Sequence, residues 1–353
     1  MVRAAFPSVQ SIPLIRSLDD ILRVVQPSLD TPDAKRHKPN TTTKAGSALG
    51  SALKKKAPPG PVYEKGIEYW DGVDASVNGV LGGYGEGPVP HIEQLSSRLL
   101  LLSLIPSLSP FPNPLTPSPT LKPLLTHRRT ILDVGAGIGR VSRHVLLPLF
   151  DDVVLLEPVD KFVREGYRAA SSGEWRDLPI QNGDDEEQNR RLDQQRKDIK
   201  GSKGRGKRVR FVKRGLQNLD PKYPVDEQAE EIGLVSSPKG EINGEGGCME
   251  DEVVYDVIWC QWCLGHMNHE DLVNFLRKAK KALREGEDHY IFVKENCCDD
   301  APGGVGQEFL DEEDSSLTRS HQKWVDCFTE AGLTVKREEI QQGMPDELFV
   351  VKT

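Results

Sequence analysis

Residues Thr130 to Arg140 read T-I-L-D-V-G-A-G-I-G-R. An apolar run (Ile131, Leu132, Val134) stops at Gly135, Gly137 and Gly139, and the amphipathic segment Val141 to Leu149 follows at once. That order predicts a buried strand, a tight glycine turn and the start of a helix. Glycine lets a backbone turn sharply and lie against a ligand because it has no Cβ. The free N–H groups at a helix start favour a negative group there.

The spacing narrows the ligand. A dinucleotide fingerprint, G-x-G-x-x-G, needs its third glycine where this chain has Arg140; the third glycine comes one residue early. Asp152 to Leu156 (D-V-V-L-L) reads as the second strand, and Glu157 ends it, 18 residues beyond Gly139. Nucleotide-binding α/β folds carry an acid for the ribose hydroxyls at about 20 residues. The turn therefore suits an adenosyl ligand without a pyrophosphate. S-adenosylmethionine fits better than NAD, with its methionine carboxylate meeting the loop amides and Arg140. The competing reading is a plain glycine turn in an α/β protein; Glu157 tips the balance to the ligand.

A chain of 353 residues can bury a full core and carry appendages. Its net charge of −8 argues against general nucleic-acid binding, which needs a basic face, but allows a basic peptide substrate. The six cysteines, at 248, 260, 263, 297, 298 and 327, form no regular framework and read as reduced intracellular thiols. Cys260-x-x-Cys263 lacks a second pair, so no metal is expected and both read as small core residues at a strand end. The leucine-rich run Leu99 to Leu108, broken by Pro106, is shorter than the ~20 residues a membrane span takes, and no membrane partner is expected.

Residues 1 to 61 read as a mostly disordered tail, poor in aromatics, with Leu14 to Val25 able to form a short amphipathic helix. Its clusters Lys35-Arg36-His37-Lys38 and Lys54-Lys55-Lys56 resemble a bipartite nuclear import signal, though a solvated tail explains them too. The expected location is cytoplasmic, and also nuclear where the basic clusters act as an import signal. Order is expected over 62–353. Gly66 to Tyr84 reads as a helix and then a glycine-rich loop ahead of the sheet. Segments 103–123, 171–207 and 225–251 read as loop insertions. Lys161 to Ala170, Asp271 to Leu283 and Leu317 to Ala331 have helical spacing. Further strands are predicted at Val209 to Val212, Val253 to Trp259, Tyr290 to Val293, Thr334 to Ile340 and Leu348 to Lys352. This alternation predicts an α/β, doubly wound, mostly parallel sheet with an antiparallel closing pair, and ligands beyond the carboxyl ends of its strands.

Those ends gather Gln261-Trp262-Cys263-Leu264-Gly265-His266, then Lys294-Glu295-Asn296, then Leu310-Asp311-Glu312-Glu313-Asp314-Ser315-Ser316. Methyl transfer to nitrogen needs a neutral amine, and an α-ammonium loses its proton near pH 7.7–8.0, so a modest base is enough. Asp314 and His266 are the candidates, with Asn296 to hold the amine. Asp311 to Glu313 would receive a cationic side chain, and Trp262 and Tyr69 offer apolar walls and cation–π faces. Each has a plain alternative. The acidic run could be a solvated loop, Asp314-Ser315-Ser316 a helix cap, and His266 a structural histidine.

Taken together, the motifs resemble the protein N-terminal (α-N) methyltransferases, which methylate the α-amine of proteins beginning Xaa-Pro-Lys or Xaa-Pro-Arg. The matching stretches are Y-W-D-G-V (69–73), V-L-G-G-Y-G (80–85), L-D-V-G-A-G-I-G-R (132–140), L-L-P-L-F (146–150) and G-L-Q (215–217). Y-D-V-I-W-C-Q-W-C-L-G-H (255–266), L-D-E-E-D-S-S (310–316) and M-P-D-E-L (344–348) complete them. The resemblance implies a seven-stranded, Rossmann-like, class I S-adenosylmethionine-dependent fold. It implies cofactor contacts at Gly135, Arg140, Glu157, Leu216, Gln217 and Gln261, proton acceptors at Asp314 and His266, and a substrate-orienting Asn296. Trp262 and Leu81 would wall the second-position proline, and Asp311 and Ser316 would engage the third-position Lys or Arg. Tyr69 and Glu347 would form the outer channel. Glu157 stands where the family usually has Asp, and Phe349 where a tyrosine is common. The rival readings are a small-molecule N- or O-methyltransferase on the same fold and an inactive binding module.

Overall fold

The computed structural model describes residues 60–109, 127–178, 206–236 and 252–353. The basic clusters, the segment Leu14 to Val25 and most of the three insertions lie outside them. Five strands build the parallel core. β1 (Thr130–Val134) lies between β2 (Asp152–Glu157) and β5 (Val257–Gln261), β3 (Arg208–Lys213) flanks β2, and β6 (Tyr290–Cys298) flanks β5. Their residues alternate between two apolar layers, as a period of two requires. Ile131, Val153, Leu155, Phe211 and Trp259 face one layer; Leu132, Val134, Val154, Leu156 and Ile258 face the other.

The register creates the site. Val134 pairs with Leu156 and with Cys260, Glu157 with Lys213, and Gln261 with Lys294. The glycine turn, Glu157, Gln261, the residues after Lys213 and the residues after Lys294 therefore end at one level. Helices cover the sheet. α1 (Tyr63–Gly72), α2 (Val77–Val80) and α3 (Val89–Leu104) precede it in sequence. α4 (Asp160–Ser171), α5 (His269–Ala282) and α6 (His321–Glu330) follow strands. The Asn268 side chain caps α5 by accepting from Asp271 N, and Leu272, Leu276 and Ala279 give it a buried stripe. Cys260, Cys263, Cys297 and Cys327 are buried free thiols, Cys298 is a half-buried one, and Cys248 lies outside the described residues. Among the described residues no helix is long and apolar enough to cross a membrane.

Several expectations are corrected. The helix expected over Leu317 to Ala331 is a strand followed by a shorter helix. β7 (Glu308–Asp311) and β8 (Ser316–Ser320) form an antiparallel hairpin, and only then does α6 begin. Leu317 and Arg319 point inward, and a buried arginine hides the alternation that marks a strand. The acidic segment expected to be all insertion holds β4 (Glu230–Ser236), an antiparallel edge strand with an exposed, charged start. Thr334 to Ile340 is not a strand. Backbone bonds link Glu339 and Gln341 to Thr353 and Val351, and the antiparallel partner of β6 is β9 (Val350–Lys352). The sheet thus has nine strands among the described residues. α3 carries no amphipathic signal in the sequence, because its end, L-L-L-L-S-L, has no polar face. After β1 the chain enters a π-helical turn, Ser142–Leu146, with Leu147–Leu149 behind it. Pro148 cannot donate to the carbonyl of His144, and Arg98 Nε of α3 does so instead at 2.8 Å.

Gly135 has φ +61°, and a Cβ there would lie 2.3 Å from Cys263 Cβ. Gly135→Ala is expected to cost about 1–3 kcal/mol in urea unfolding; unchanged stability would contradict this packing of the turn against the β5 loop.

Candidate active site

A cavity of about 570 Å³ opens at the carboxyl ends of β1, β2, β5 and β6. Gly135, Arg140, Glu157, Leu216, Gln217 and Gln261 line it, as do Leu81, Trp262, His266, Asn296, Asp314, Ser316 and Glu347. Two of the expected residues do not line it. Tyr69 meets Trp70 edge-on at 5.3 Å, and its phenol is pushed up by burial and then by Glu313, Asp314 and Asp311, so it sits beside the acidic turn. Asp311 ends β7 and accepts the Glu313 N–H at 2.8 Å.

One set of lining residues suits an adenosyl amino acid. Glu157 accepts Gly137 N–H at 2.7 Å and Val159 N–H at 2.8 Å. Burial pushes its carboxyl up to about 7. Gln261 spends its amide oxygen on the Trp259 indole at 3.1 Å, while its buried Nε2 has no partner. A buried donor without an acceptor is costly, and a ligand carboxylate would supply one. Arg140, paired with Glu93, adds a buried positive charge. The loop carrying Leu216 and Gln217 is shaped by buried Arg214. Its Nη1 donates to Gly215 O at 2.9 Å and Gln217 O at 3.2 Å while Asp226 holds the other side. These residues fit S-adenosylmethionine.

The other set surrounds the loop from Trp262 to Met267. Glu295 Oε1 accepts the N–H groups of Cys263 and Leu264 at 2.9 and 2.8 Å. Arg319, fully buried, donates to the carbonyls of Leu264 and Met267. Trp262 turns at φ +54° and donates its N–H to Lys294 O at 3.0 Å. Opposite, the turn between β7 and β8 carries Asp314, whose Oδ1 accepts Ser316 N–H at 3.0 Å, leaving Oδ2 outside that turn.

His266 is fixed as one tautomer. A carbonyl only accepts and an indole N–H only donates. Nδ1 faces Ser315 O at 3.4 Å, and Nε2 faces Trp70 Nε1 at 3.1 Å. The ring is therefore neutral, with its proton on Nδ1 and its Nε2 lone pair taken by Trp70. Burial lowers its basicity, and Asp314 opposes that. Helix α1 lies directly on this pair: a Cβ at Gly66 would stand 3.2 Å from His266 Nδ1 and 3.3 Å from Asp314 O. Val62 N–H, just before α1, donates to Ser315 Oγ at 2.8 Å. Tyr84 donates to Glu347 Oε1 at 3.1 Å, tying the glycine-rich loop to the C-terminal segment.

Sequence reasoning missed Trp70 as the partner of His266, although it stands in the quoted Y-W-D-G-V. It also missed Glu295 and Arg319 as loop clamps, Arg214, and Glu93. Lys294-Glu295 in its rim motif was the available signal for one of them; buried arginines leave none.

The family described as AdoMet dependent proline di-methyltransferase matches residues 59–177 and 247–353. Alpha N-terminal protein methyltransferase 1 of Arabidopsis thaliana is 30% identical over 294 residues, covering 82% of this chain and 77% of that protein. N-terminal Xaa-Pro-Lys N-methyltransferase 1 of Mus musculus is 29% identical, covering 82% of this chain and 92% of that one. A solved SAM-dependent methyltransferase of Leishmania major superposes with a TM-score of 0.50 at 26% identity, covering 82% of this chain and 80% of that chain.

Burial raises the Glu295 carboxyl to about 7. The unfolded chain releases that proton near pH 4.3, so between these values the folded state holds more protons and stability from this group falls as pH rises. Glu295→Gln should remove that slope. The wild type should lose about 1–3 kcal/mol relative to the variant from about pH 5 to about pH 7, read from urea unfolding. A pH-independent gap would contradict the assignment.

Proposed function

The chain belongs to the AdoMet-dependent proline di-methyltransferase family, and we propose that it methylates the α-amino group of proteins whose N-termini read Xaa-Pro-Lys or Xaa-Pro-Arg. The observation that carries this is the meeting of Asp314, His266 and Asn296 on the cavity that Gly135, Glu157 and Gln261 also line. S-adenosylmethionine supplies an electrophilic methyl on a sulfonium when bound.

The chain's own residues do the rest. Gln261 Nε2 and Arg140 take the amino-acid carboxylate, and Glu157 the ribose edge, its longer side chain standing in for the family's usual aspartate. Asn296 orients the peptide terminus, and Trp262 and Leu81 wall its proline. Attack on the methyl needs the nitrogen lone pair, so the ammonium must first lose a proton. Asp314 accepts it through Oδ2, the oxygen not bonded to Ser316 N–H. His266 holds Trp70 and Ser315 in place, and takes a proton at Nε2 only by releasing Trp70. Asp311 and Ser316, with Glu312 and Glu313 beside them, draw in the third-position cation. Tyr69 and Glu347 form the outer channel. The acids favour a cationic peptide over a small neutral acceptor.

Incubation with Ser-Pro-Lys and acetyl-Ser-Pro-Lys peptides tests this by mass spectrometry. Only the free amine should gain methyls; equal methylation of both would overturn the reading. Asp314→Asn should lower kcat by roughly 100- to 10,000-fold with peptide binding retained, and a full rate in that variant would remove Asp314 from the base role.

A further inference from the structure

Arg140 belongs to a buried charged cluster whose other members have no role in the chemistry above. Glu93, on α3, is fully buried and accepts from Arg140 Nη1 through Oε2. Its Oε1 accepts from Lys294 Nζ at 3.3 Å and from Ser97 Oγ at 2.9 Å, one helical turn along. Lys294 is 1% exposed and also donates to Ser97 Oγ at 3.1 Å. Among the described residues, the ion pairs of both cations end on this one carboxylate. Two buried cations thus share a single anion. Asp133, the next acid in reach, is bonded to Ser142 at 2.6 Å, and burial raises it to about 7, so it offsets only part of the excess near neutrality.

Such a cluster is a poor stabilising device, since well-packed apolar side chains serve as well or better in its place. Its sense lies in the cavity it borders. A ligand carboxylate arriving at Arg140 completes the charge balance. Fixed by three donors, Glu93 holds one guanidinium nitrogen and leaves the remaining N–H groups for that ligand. We infer that Glu93 of α3 is the positioning residue for Arg140, orienting its guanidinium toward the amino-acid end of the cofactor, with Ser97 and Lys294 fixing Glu93 in turn. This rests on the cofactor reading above and extends it to a helix outside the glycine turn.

The test is calorimetric binding of two nucleosides to the full chain. S-adenosylhomocysteine carries the amino-acid end, and 5′-methylthioadenosine lacks it. Glu93→Gln should weaken S-adenosylhomocysteine about 10- to 100-fold and leave methylthioadenosine binding unchanged. Ser97→Ala, a milder change that removes one hydroxyl from Glu93, should show the same ligand-selective loss at smaller size and decides the matter if Glu93→Gln does not fold. Equal loss for both nucleosides, or no loss for either, in a folded variant would reduce Glu93 to a structural role and overturn the assignment. Failure of the wild type to bind S-adenosylhomocysteine would instead overturn the cofactor reading itself, and the assignment with it.

Discussion

Two buried side chains, a carboxyl that accepts and a guanidinium that donates, hold the loop after β5. Glu295 takes the N–H groups of Cys263 and Leu264, and Arg319 the carbonyls of Leu264 and Met267. A loop turned into the protein interior would otherwise leave those backbone groups unpaired, at a cost comparable to lost hydrogen bonds. Each clamp comes from a different strand, β6 and β8, so the loop is fixed only when the far half of the sheet is assembled. Trp262 and His266 are placed by that clamp. The same β6 strand presents Asn296 one residue beyond Glu295, and β8 begins two residues beyond Asp314. The acceptor side of the site is thus one hydrogen-bonded body and not a set of separate loops.

Helix α1 closes that body. It reaches His266 through the Trp70 indole, and its backbone approaches Asp314 closely enough that only glycine fits at position 66 without displacement. Just before it, the Val62 amide is bonded to Ser315. The next helices continue the cover: the glycine-rich loop lines the cavity through Leu81 and Tyr84, and α3 brings Glu93 to Arg140. Residues N-terminal to the sheet therefore touch both the acceptor side and the donor side of the cavity.

The sequence disclosed the parts that rest on local pattern. The strand–glycine–helix order, the acid at 157 and the rim motifs after Trp259 and Val293 are local, and the parallel register brings them to one level as expected. What stayed hidden depends on partners distant in the chain. Arg319 reads as a surface residue until β7 pairs with β8 and buries it. Glu93 belongs to no motif in the sequence and gains its meaning only where Arg140 and Lys294 surround it. Trp70 stands in the quoted Y-W-D-G-V stretch, but its role as hydrogen-bond donor to His266 needed both rings placed in space. β4 was obscured by its acidic edge character, and α3 by an apolar run with no polar face.

The proposed reaction needs a single meeting place, where the donor's methyl and an uncharged chain terminus share the cavity beyond Gly135. A crystal structure with S-adenosylhomocysteine and a Ser-Pro-Lys peptide bound together tests it most directly. The peptide's α-nitrogen is expected in that cavity, within hydrogen-bonding reach of the Asp314 carboxylate and facing the cofactor sulfur. A peptide seated elsewhere, or one presenting its lysine side chain to the sulfur, would contradict it.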